Sequence, residues 1–227
     1  MASPAKIVDL YGLPACGKST LVARMVADSP SGLRVADKRM ALGKGGAAFF
    51  CRFLLSLHPK DVYRCVRYHF AIPPRFRRKG SPLRKFIKNY AYYRYVAKFS
   101  GYDVVYMDNG IVQSIVSHQG GADLLDDGKY VSSVRRLLDL PLDITFVRCE
   151  IDAEAALNRM RQRGREKGRI DLMDDPERQL QSLEEEDRIY RKFSDFISAW
   201  GFPQLTVNNN LSIEQESEQL RAGLRYD

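Results

Sequence analysis

The residues whose types and spacing most directly predict chemistry are a lysine and a serine that follow a glycine, at positions 17–19. Gly12 stands before them in the pattern G-x-x-x-x-G-K-S, so two glycines bracket a short loop. Glycines let a backbone turn tightly and present successive N–H groups to an anion. In such a loop Lys18 reaches the β and γ phosphates of ATP, and the Ser19 hydroxyl ligates the Mg²⁺ that bridges them. This Walker A pattern therefore predicts a phosphate cradle for ATP and Mg²⁺.

The residues on either side of the loop predict the elements that position it. Residues 7–11 form an apolar run of strand length, and an amphipathic helix is predicted at about 17–27. The N-terminus of that helix adds the positive end of its dipole to the phosphate site. The alternative is a glycine-bearing turn without a ligand, which the strand, the helix and the Lys-Ser pair disfavour. The predicted cofactor-binding residues of the loop are Gly12, Ala15, Cys16, Gly17, Lys18, Ser19 and Thr20.

A second apolar run ends in an acid that complements the loop. Residues 102–108 read Tyr-Asp-Val-Val-Tyr-Met-Asp and predict a strand that ends at Asp108, the Walker B pattern. Its carboxylate is expected to hold Mg²⁺ directly or through water, so Ser19 and Asp108 are the predicted metal ligands. The alternative for Asp108 is an N-cap of the next helix. The next residue is Asn109. Motor ATPases often need a carboxylate at this position to polarise water, whereas a kinase must keep water out of its site.

Two further groups are candidates for contact with the substrates. Residues 33–36 predict a short strand that ends at Asp37, and ligands bind at the carboxyl ends of strands in open α/β sheets. Asp37 is thus a candidate to contact or deprotonate the acceptor, and a helix N-cap explains it equally well. Arginines also crowd residues 159–169 around two glycines, which suits a mobile flap over transferring phosphates or, alternatively, a solvated basic loop. These arginines are Arg159, Arg161, Arg163, Arg165 and Arg169.

The positive charge of the chain is concentrated in one segment. The net charge is +8, and residues 52–98 hold thirteen Lys or Arg against one acid, Asp61. Helices are predicted in this region at 42–57, after a flexible Gly-Lys-Gly-Gly stretch, and at 61–70 and 82–99. Basic residues interleaved with Phe and Tyr suit a phosphorylated or aromatic acceptor, or nucleic acid. The alternative is a set of helices whose aromatic residues are core and whose cations are solvated.

Length and composition favour one globular domain over residues 1–227. Strands predicted at 7–11, 33–36, 102–108, 143–148 and 204–207, with helices between them, imply a parallel α/β sheet. The sequence has no apolar window of signal-peptide or membrane-span length, so we expect a cytoplasmic protein without membrane contact. Its four cysteines lack C-x-x-C spacing, which argues for reduced thiols and against a zinc site.

These motifs together resemble the nucleoside and nucleotide kinase group of P-loop proteins, which includes thymidylate kinases and deoxynucleoside kinases. The resemblance covers about 6–24, 103–114, 144–171 and 205–220. It implies a three-layer P-loop fold, with a five-stranded parallel sheet, helices on both faces, and an arginine-rich lid at about 159–171. It also implies ATP and Mg²⁺ as cofactors. Arg159 and Arg163 match the lid arginines of the family, and Arg169 is a third candidate.

The sequence departs from the family at the acceptor side. Thymidylate kinases follow the strand-three acid with an arginine that grips the acceptor monophosphate, whereas Asn109 and Gly110 stand here. Residues 38–100 match neither subfamily's acceptor signature, and about 42–100 is predicted as a basic helical insertion on the acceptor side. We therefore expect ATP-dependent transfer to a small anionic or phosphorylated acceptor: a nucleoside, nucleotide or sugar derivative. The alternative is a nucleotide-dependent nucleic-acid-binding protein or a polynucleotide end kinase. The predicted catalytic residues are Lys18, Asp37, Asp108, Arg163 and Arg169.

Overall fold

A five-stranded parallel sheet forms the centre of the computed structural model. The strands lie in the order β2-β3-β1-β4-β5. The structure describes residues 4–43, 47–73, 82–118, 122–162, 170, 173 and 175–224. The strands are β1 Lys6–Gly12, β2 Val35–Asp37, β3 Val104–Met107, β4 Ile144–Glu150 and β5 Gln204–Asn208.

Helices join the strands and surround the sheet, which confirms the predicted three-layer α/β class. Helices α1, α5, α6 and α9 all pack against the central strand β1. A short 3-10 helix, Ala122–Asp126, precedes α7. The α-helices are α1 Lys18–Ala27, α2 Lys38–Leu42, α3 Ala47–Ser56, α4 Pro59–Ala71, α5 Pro82–Phe99, α6 Ile111–His118, α7 Gly128–Leu138, α8 Ala153–Gln162, α9 Pro176–Ala199 and α10 Ile213–Leu224.

Burial of the central strands explains why they are apolar along their length. In β1 every residue from Ile7 to Gly12 is buried, and so is all of β3. A parallel strand covered by helices on both faces does not alternate between apolar and polar residues. Asp9 is the polar exception in β1, and it is fully buried. No helix among the described residues is both long and apolar enough to cross a membrane.

The strand order determines where a ligand can bind. From β1 the chain goes to β2 on one side of the sheet, whereas from β4 it goes to β5 on the other. Connections that leave neighbouring strands in opposite directions open a crevice at the carboxyl ends of those strands. The loop after β1 lies at this crevice.

Helix α2 is the main element missing from the prediction, which placed a helix over 42–57 after a flexible Gly-Lys-Gly-Gly stretch. Helix α2 already begins at Lys38, directly after β2, and ends at Leu42 because Gly43 turns the backbone to φ 63°. A separate helix, α3, covers Ala47–Ser56. His58 accepts a hydrogen bond from the backbone N–H of Lys60 and thereby caps α4, which starts earlier than predicted.

Candidate active site

The loop between β1 and α1 has a backbone shape that suits a phosphate cradle. Gly12 adopts φ 147° and Gly17 adopts φ 97°, a region that other residues rarely occupy. A Cβ at Gly12 would lie 2.3 Å from the carbonyl oxygen of Cys149 in β4, so strand β4 leaves room only for glycine. Gly17 caps α1 without a side-chain acceptor, which leaves the first N–H groups of the helix available to an anion.

The ammonium of Lys18 lies inside this loop. Nζ donates hydrogen bonds to the carbonyl oxygens of Gly12 (2.9 Å) and Leu13 (2.8 Å). It also lies 3.2 Å from Sγ of Cys16. A hydrogen bond from Cys149 and the charge of Lys18 lower the pKa of the buried Cys16 thiol. The loop thus holds a positive charge at the position where phosphate oxygens are expected.

Ser19 and Asp108 meet although they lie far apart in sequence. The Ser19 hydroxyl donates to Oδ2 of Asp108 at 2.9 Å. A hydroxyl and a carboxylate suit Mg²⁺, which usually takes one or two carboxylates together with substrate phosphates and water. No cluster of three or more His, Cys, Asp or Glu side chains suited to a metal occurs among the described residues. A hydroxyl and one carboxylate leave the other positions around such an ion to phosphate oxygens and water.

A cleft of about 800 Å³ opens over the loop and brings most of the predicted cofactor-binding residues together. Its volume is within the range of small-molecule sites. Arg159 joins the loop residues here, and its Nη2 donates to the carbonyl oxygen of Asn209 at 2.8 Å. The lining residues are Pro14, Ala15, Cys16, Gly17, Lys18, Ser19, Thr20, Asp108, Asn109, Gln113, Arg159, Leu211, Ile213 and Glu216.

Several residues that support the loop were missed by the sequence reasoning. Oε1 of Gln113 in α6 accepts from the backbone N–H of Gly12 (3.3 Å), and its Nε2 donates to the Tyr190 hydroxyl of α9 (2.6 Å). Behind the loop, buried Asn209 donates to Oε2 of Glu216 at 3.2 Å. Burial raises the pKa of Glu216 to about 7. A polar residue on a helix gives no sequence signal of such contacts; only the fold brings them to the loop.

Asp37 occupies one of the two roles predicted for it. Its Oδ1 accepts a hydrogen bond from the backbone N–H of Met40 at 2.7 Å and caps α2. It lies at the carboxyl end of β2, as expected, but it does not line the cleft over the loop. Its contact with an acceptor stays a prediction.

Arg163 and Arg169, predicted as catalytic, lie outside the described residues, and so does most of the predicted lid.

Asp9 connects β1 to α5 and α6 through buried hydrogen bonds, which the apolar sequence of β1 did not predict. Its Oδ2 accepts hydrogen bonds from the Tyr93 hydroxyl (2.7 Å) and the backbone N–H of Ile111 (3.1 Å). A Cβ at Gly110 would lie 1.8 Å from Oδ1 of Asp9, so the turn after Asp108 packs directly on this carboxyl. Burial raises the pKa of Asp9 to about 7, against the effect of its hydrogen bonds. Helix α5 is thereby tied to the turn that carries Asp108.

Comparison with known proteins supports the fold at the level of structure. Neither models of protein families nor curated proteins gave a match to this chain. Among solved structures, a deoxyadenosine kinase from M. mycoides with bound dCTP matches with a TM-score of 0.52 and 14% identity, over 97% of this chain and 100% of that one. The same kinase with bound dATP matches with a TM-score of 0.52 and 13% identity, over 96% and 99%. The chain thus has a P-loop fold like that of deoxynucleoside kinases.

Proposed function

We propose that this protein is an ATP-dependent kinase that transfers a phosphoryl group to a small acceptor. The observation that carries the proposal is the hydrogen bond between Ser19 and Asp108, 2.9 Å long, beside the ammonium of Lys18. These three groups converge from α1 and from the end of β3. Together they match what phosphoryl transfer needs, which is positioning and neutralisation of charge rather than covalent chemistry.

Lys18 and the backbone of the loop would hold the triphosphate. The Lys18 ammonium exchanges the carbonyl oxygens of Gly12 and Leu13 for phosphate oxygens, while N–H groups at the start of α1 point at the same anion. Ser19 and Asp108 would hold Mg²⁺, whose chemistry when bound is neutralisation of charge on the β and γ phosphates. Arg163 and Arg169 remain the predicted arginines of the lid.

The rest of the cleft suits the base and sugar of the nucleotide. Leu211 and Ile213 supply apolar surface beside Arg159 at the end of the cleft formed by the β5–α10 connection. Leu211 is 40% exposed, so its apolar surface is available to a ligand in the cleft. A flat aromatic base against Leu211 and the guanidinium of Arg159 would remove that surface from water.

The residue beside Asp108 favours transfer to a bound acceptor over hydrolysis. Asn109 lines the cleft and carries an amide in place of a carboxylate. An amide does not take a proton from water, so this position provides no general base for hydrolysis. The acceptor would then approach Asp108 from the side of β2 and β3, because the nucleotide cleft extends toward β4 and β5.

Equilibrium binding of a fluorescent ATP analogue, with and without Mg²⁺, tests this proposal. Lys18→Met should weaken binding by about tenfold or more, because one charge-assisted contact to phosphate is lost. Asp108→Asn should remove most of the gain in affinity that Mg²⁺ gives. Lys98→Met is the matched control, since Lys98 is exposed on α5 and its ammonium lies 5.2 Å from the centre of the Phe99 ring. Unchanged affinity in Lys18→Met would contradict the proposal.

A further inference from the structure

The basic segment contains cations that have a carboxylate partner and cations that do not. Asp61, the single acid of residues 52–98, is buried in α4 and forms ion pairs with Arg94 of α5 (2.5 Å) and Arg64 (3.7 Å). The carboxylate is therefore used to attach α5 to α4. Lys85 and Lys88 of α5 have no carboxylate within ion-pair distance in the described part of the chain.

Lys88 and Lys38 converge on one aromatic ring. The Lys38 ammonium lies 4.9 Å from the centre of the Tyr92 ring, and the Lys88 ammonium lies 5.3 Å from the same centre. Tyr92 packs against Phe53 of α3, with ring centres 5.2 Å apart, which fixes the ring. Residues 85, 88 and 92 follow the three- and four-residue spacing that places side chains on one face of a helix. Lys85 therefore belongs to the same cluster.

The three ammoniums repel one another. Burial lowers the pKa of Lys38, and the carboxylates of Asp108 and Asp9 raise it. The positive charges of Lys88 and Lys85 lower the pKa of Lys38 further. Lys38 is half-buried and has no ion pair or hydrogen bond among the described residues. Lys85 and Lys88 are exposed on α5, yet Lys88 lies over the same ring as Lys38 instead of extending away from it. Their convergence on a fixed ring indicates a place where an anion relieves the repulsion.

The cluster lies beside the reacting end of the nucleotide site. Lys38 follows β2 directly, and Asp37 of β2 pairs with Tyr106 of β3, so both strands end at the same edge as Asp108. The nucleotide cleft extends from β1 to the opposite side, over β4 and β5. A phosphoryl acceptor must present one oxygen in line with the γ-phosphate. The body of an acceptor on the β2 side would then lie over the lysines.

We infer that Lys38, Lys85 and Lys88 form an anion-binding subsite around Tyr92 and that the acceptor carries a phosphomonoester. A phosphomonoester has a charge of about −1.5 to −2 at neutral pH, which matches several ammoniums better than the single charge of a carboxylate. Lysines act on phosphate as point charges, so the subsite does not need the planar geometry of an arginine. The inference rests on the proposed function, because it assigns the second substrate of that kinase.

A lysine-labelling experiment tests the subsite without knowledge of the whole acceptor. The probe is methyl phosphate, compared with chloride at equal ionic strength, and the readout is the acetylation rate of each lysine by mass spectrometry. Methyl phosphate should slow acetylation of Lys38, Lys85 and Lys88 by about threefold or more, because a bound anion raises the protonated fraction and covers the amines. Lys60 and Lys98, which are exposed on α4 and α5, should react at unchanged rates.

Substitutions of single lysines test whether the protection from acetylation arises from the three-lysine subsite. Lys85→Met and Lys88→Met should each abolish most of the protection of the remaining two lysines, whereas Lys98→Met should leave it intact. In turnover assays, phosphomonoesters should support ADP formation and the parent alcohols should not. Uniform protection of all lysines would overturn the inference, as would turnover of neutral alcohols that matches turnover of phosphomonoesters. Protection by an oligonucleotide but not by methyl phosphate would also overturn it and favour nucleic acid.

Failure of the subsite and failure of the kinase proposal give different results. If ATP binding depends on Lys18 and Mg²⁺ but methyl phosphate protects nothing, only the subsite is wrong. If Lys18→Met binds ATP normally, the kinase proposal fails whatever the lysines of the subsite bind.

Discussion

The two sides of strand β1 differ in how their charges are satisfied. On the β4 side, the protein itself supplies partners: carbonyl oxygens for Lys18 and a carbonyl for Arg159. On the β2 side, Lys38 and Lys88 lie over an aromatic ring and have no ion pair or hydrogen bond among the described residues. The loop side is thus held by hydrogen bonds within the protein, whereas in the proposed subsite a bound anion would relieve the repulsion among the lysines. This contrast predicts that substitutions on the β4 side act on structure and rate, and substitutions on the β2 side mainly on acceptor affinity.

The largest effect is expected from removal of the loop ammonium. Lys18→Met should lower acceptor-dependent ADP formation by about 10²–10³-fold, because its contacts strengthen as charge shifts in the transition state. The thermal midpoint should hardly change, since the hydrogen bonds that Lys18 makes among the described residues all lie within its own loop. Steady-state kinetics and calorimetry measure the two quantities. An equal loss of activity in Lys98→Met would show that the effect is not specific to the loop.

Gly12→Ala tests whether the loop is fixed by strand β4. The new Cβ would lie 2.3 Å from the Cys149 carbonyl oxygen, so the free energy of unfolding should fall by about 3 kcal/mol or more. Gly32→Ala is the matched control, because Gly32 also has a positive φ, 95°, but no atom within 4 Å of the new Cβ. It should cost only about 1–2 kcal/mol. Urea unfolding measures both, and equal losses would refute the role of β4.

The buried carboxyl of Asp9, which connects β1 to α5 and α6, should make the free energy of unfolding depend on pH. Burial raises the pKa of Asp9 from 3.8 to about 7, so between these pH values the folded state binds more protons than the unfolded state. The contribution of Asp9 to stability therefore falls as pH rises from about 4 to about 7, and is constant above that range. Asp9→Asn should make the dependence of stability on pH shallower between about pH 4 and 7, and Glu216, whose pKa is also raised to about 7, should keep the remaining slope at the same sign; urea unfolding at several pH values measures both. Asp123→Asn, at an exposed position, should leave the slope unchanged.

Sequence reasoning predicted the nucleotide side better than the acceptor side for a physical reason. The loop from Gly12 to Ser19 is contiguous, and the need to turn and to hold phosphate restricts its residues. Asp108 was recognisable because an acid at the end of an apolar strand is itself a pattern, and the structure brings it to Ser19. The sheet was predictable because buried parallel strands are apolar runs.

The missed residues depend on tertiary packing rather than on local pattern. Asp9 was read as part of an apolar strand, although its neighbours are Tyr93 and Gly110 from later elements. Lys38 was not separated from the other cations, because only the fold brings α2 beside the Tyr92 face of α5. Helix α2 also went unpredicted, since its five residues, Lys38–Leu42, are too few to show a helical pattern of apolar residues.

The smallest effect is expected from Gln113, which connects the loop to α9. Gln113→Leu removes the acceptor for the backbone N–H of Gly12 and the donor to the Tyr190 hydroxyl, so the free energy of unfolding should fall by about 1–3 kcal/mol. Gln113→Glu keeps a side-chain oxygen for Gly12 and can accept from the tyrosine hydroxyl instead, so its loss should be smaller. If the β4 side is organised in advance, Gln113→Leu should also weaken ATP binding by a few-fold, because the loop loses a contact that holds its first residue. Acceptor affinity, which depends on the β2 side, should stay the same in both variants; a parallel loss would show that the two sites are not separate.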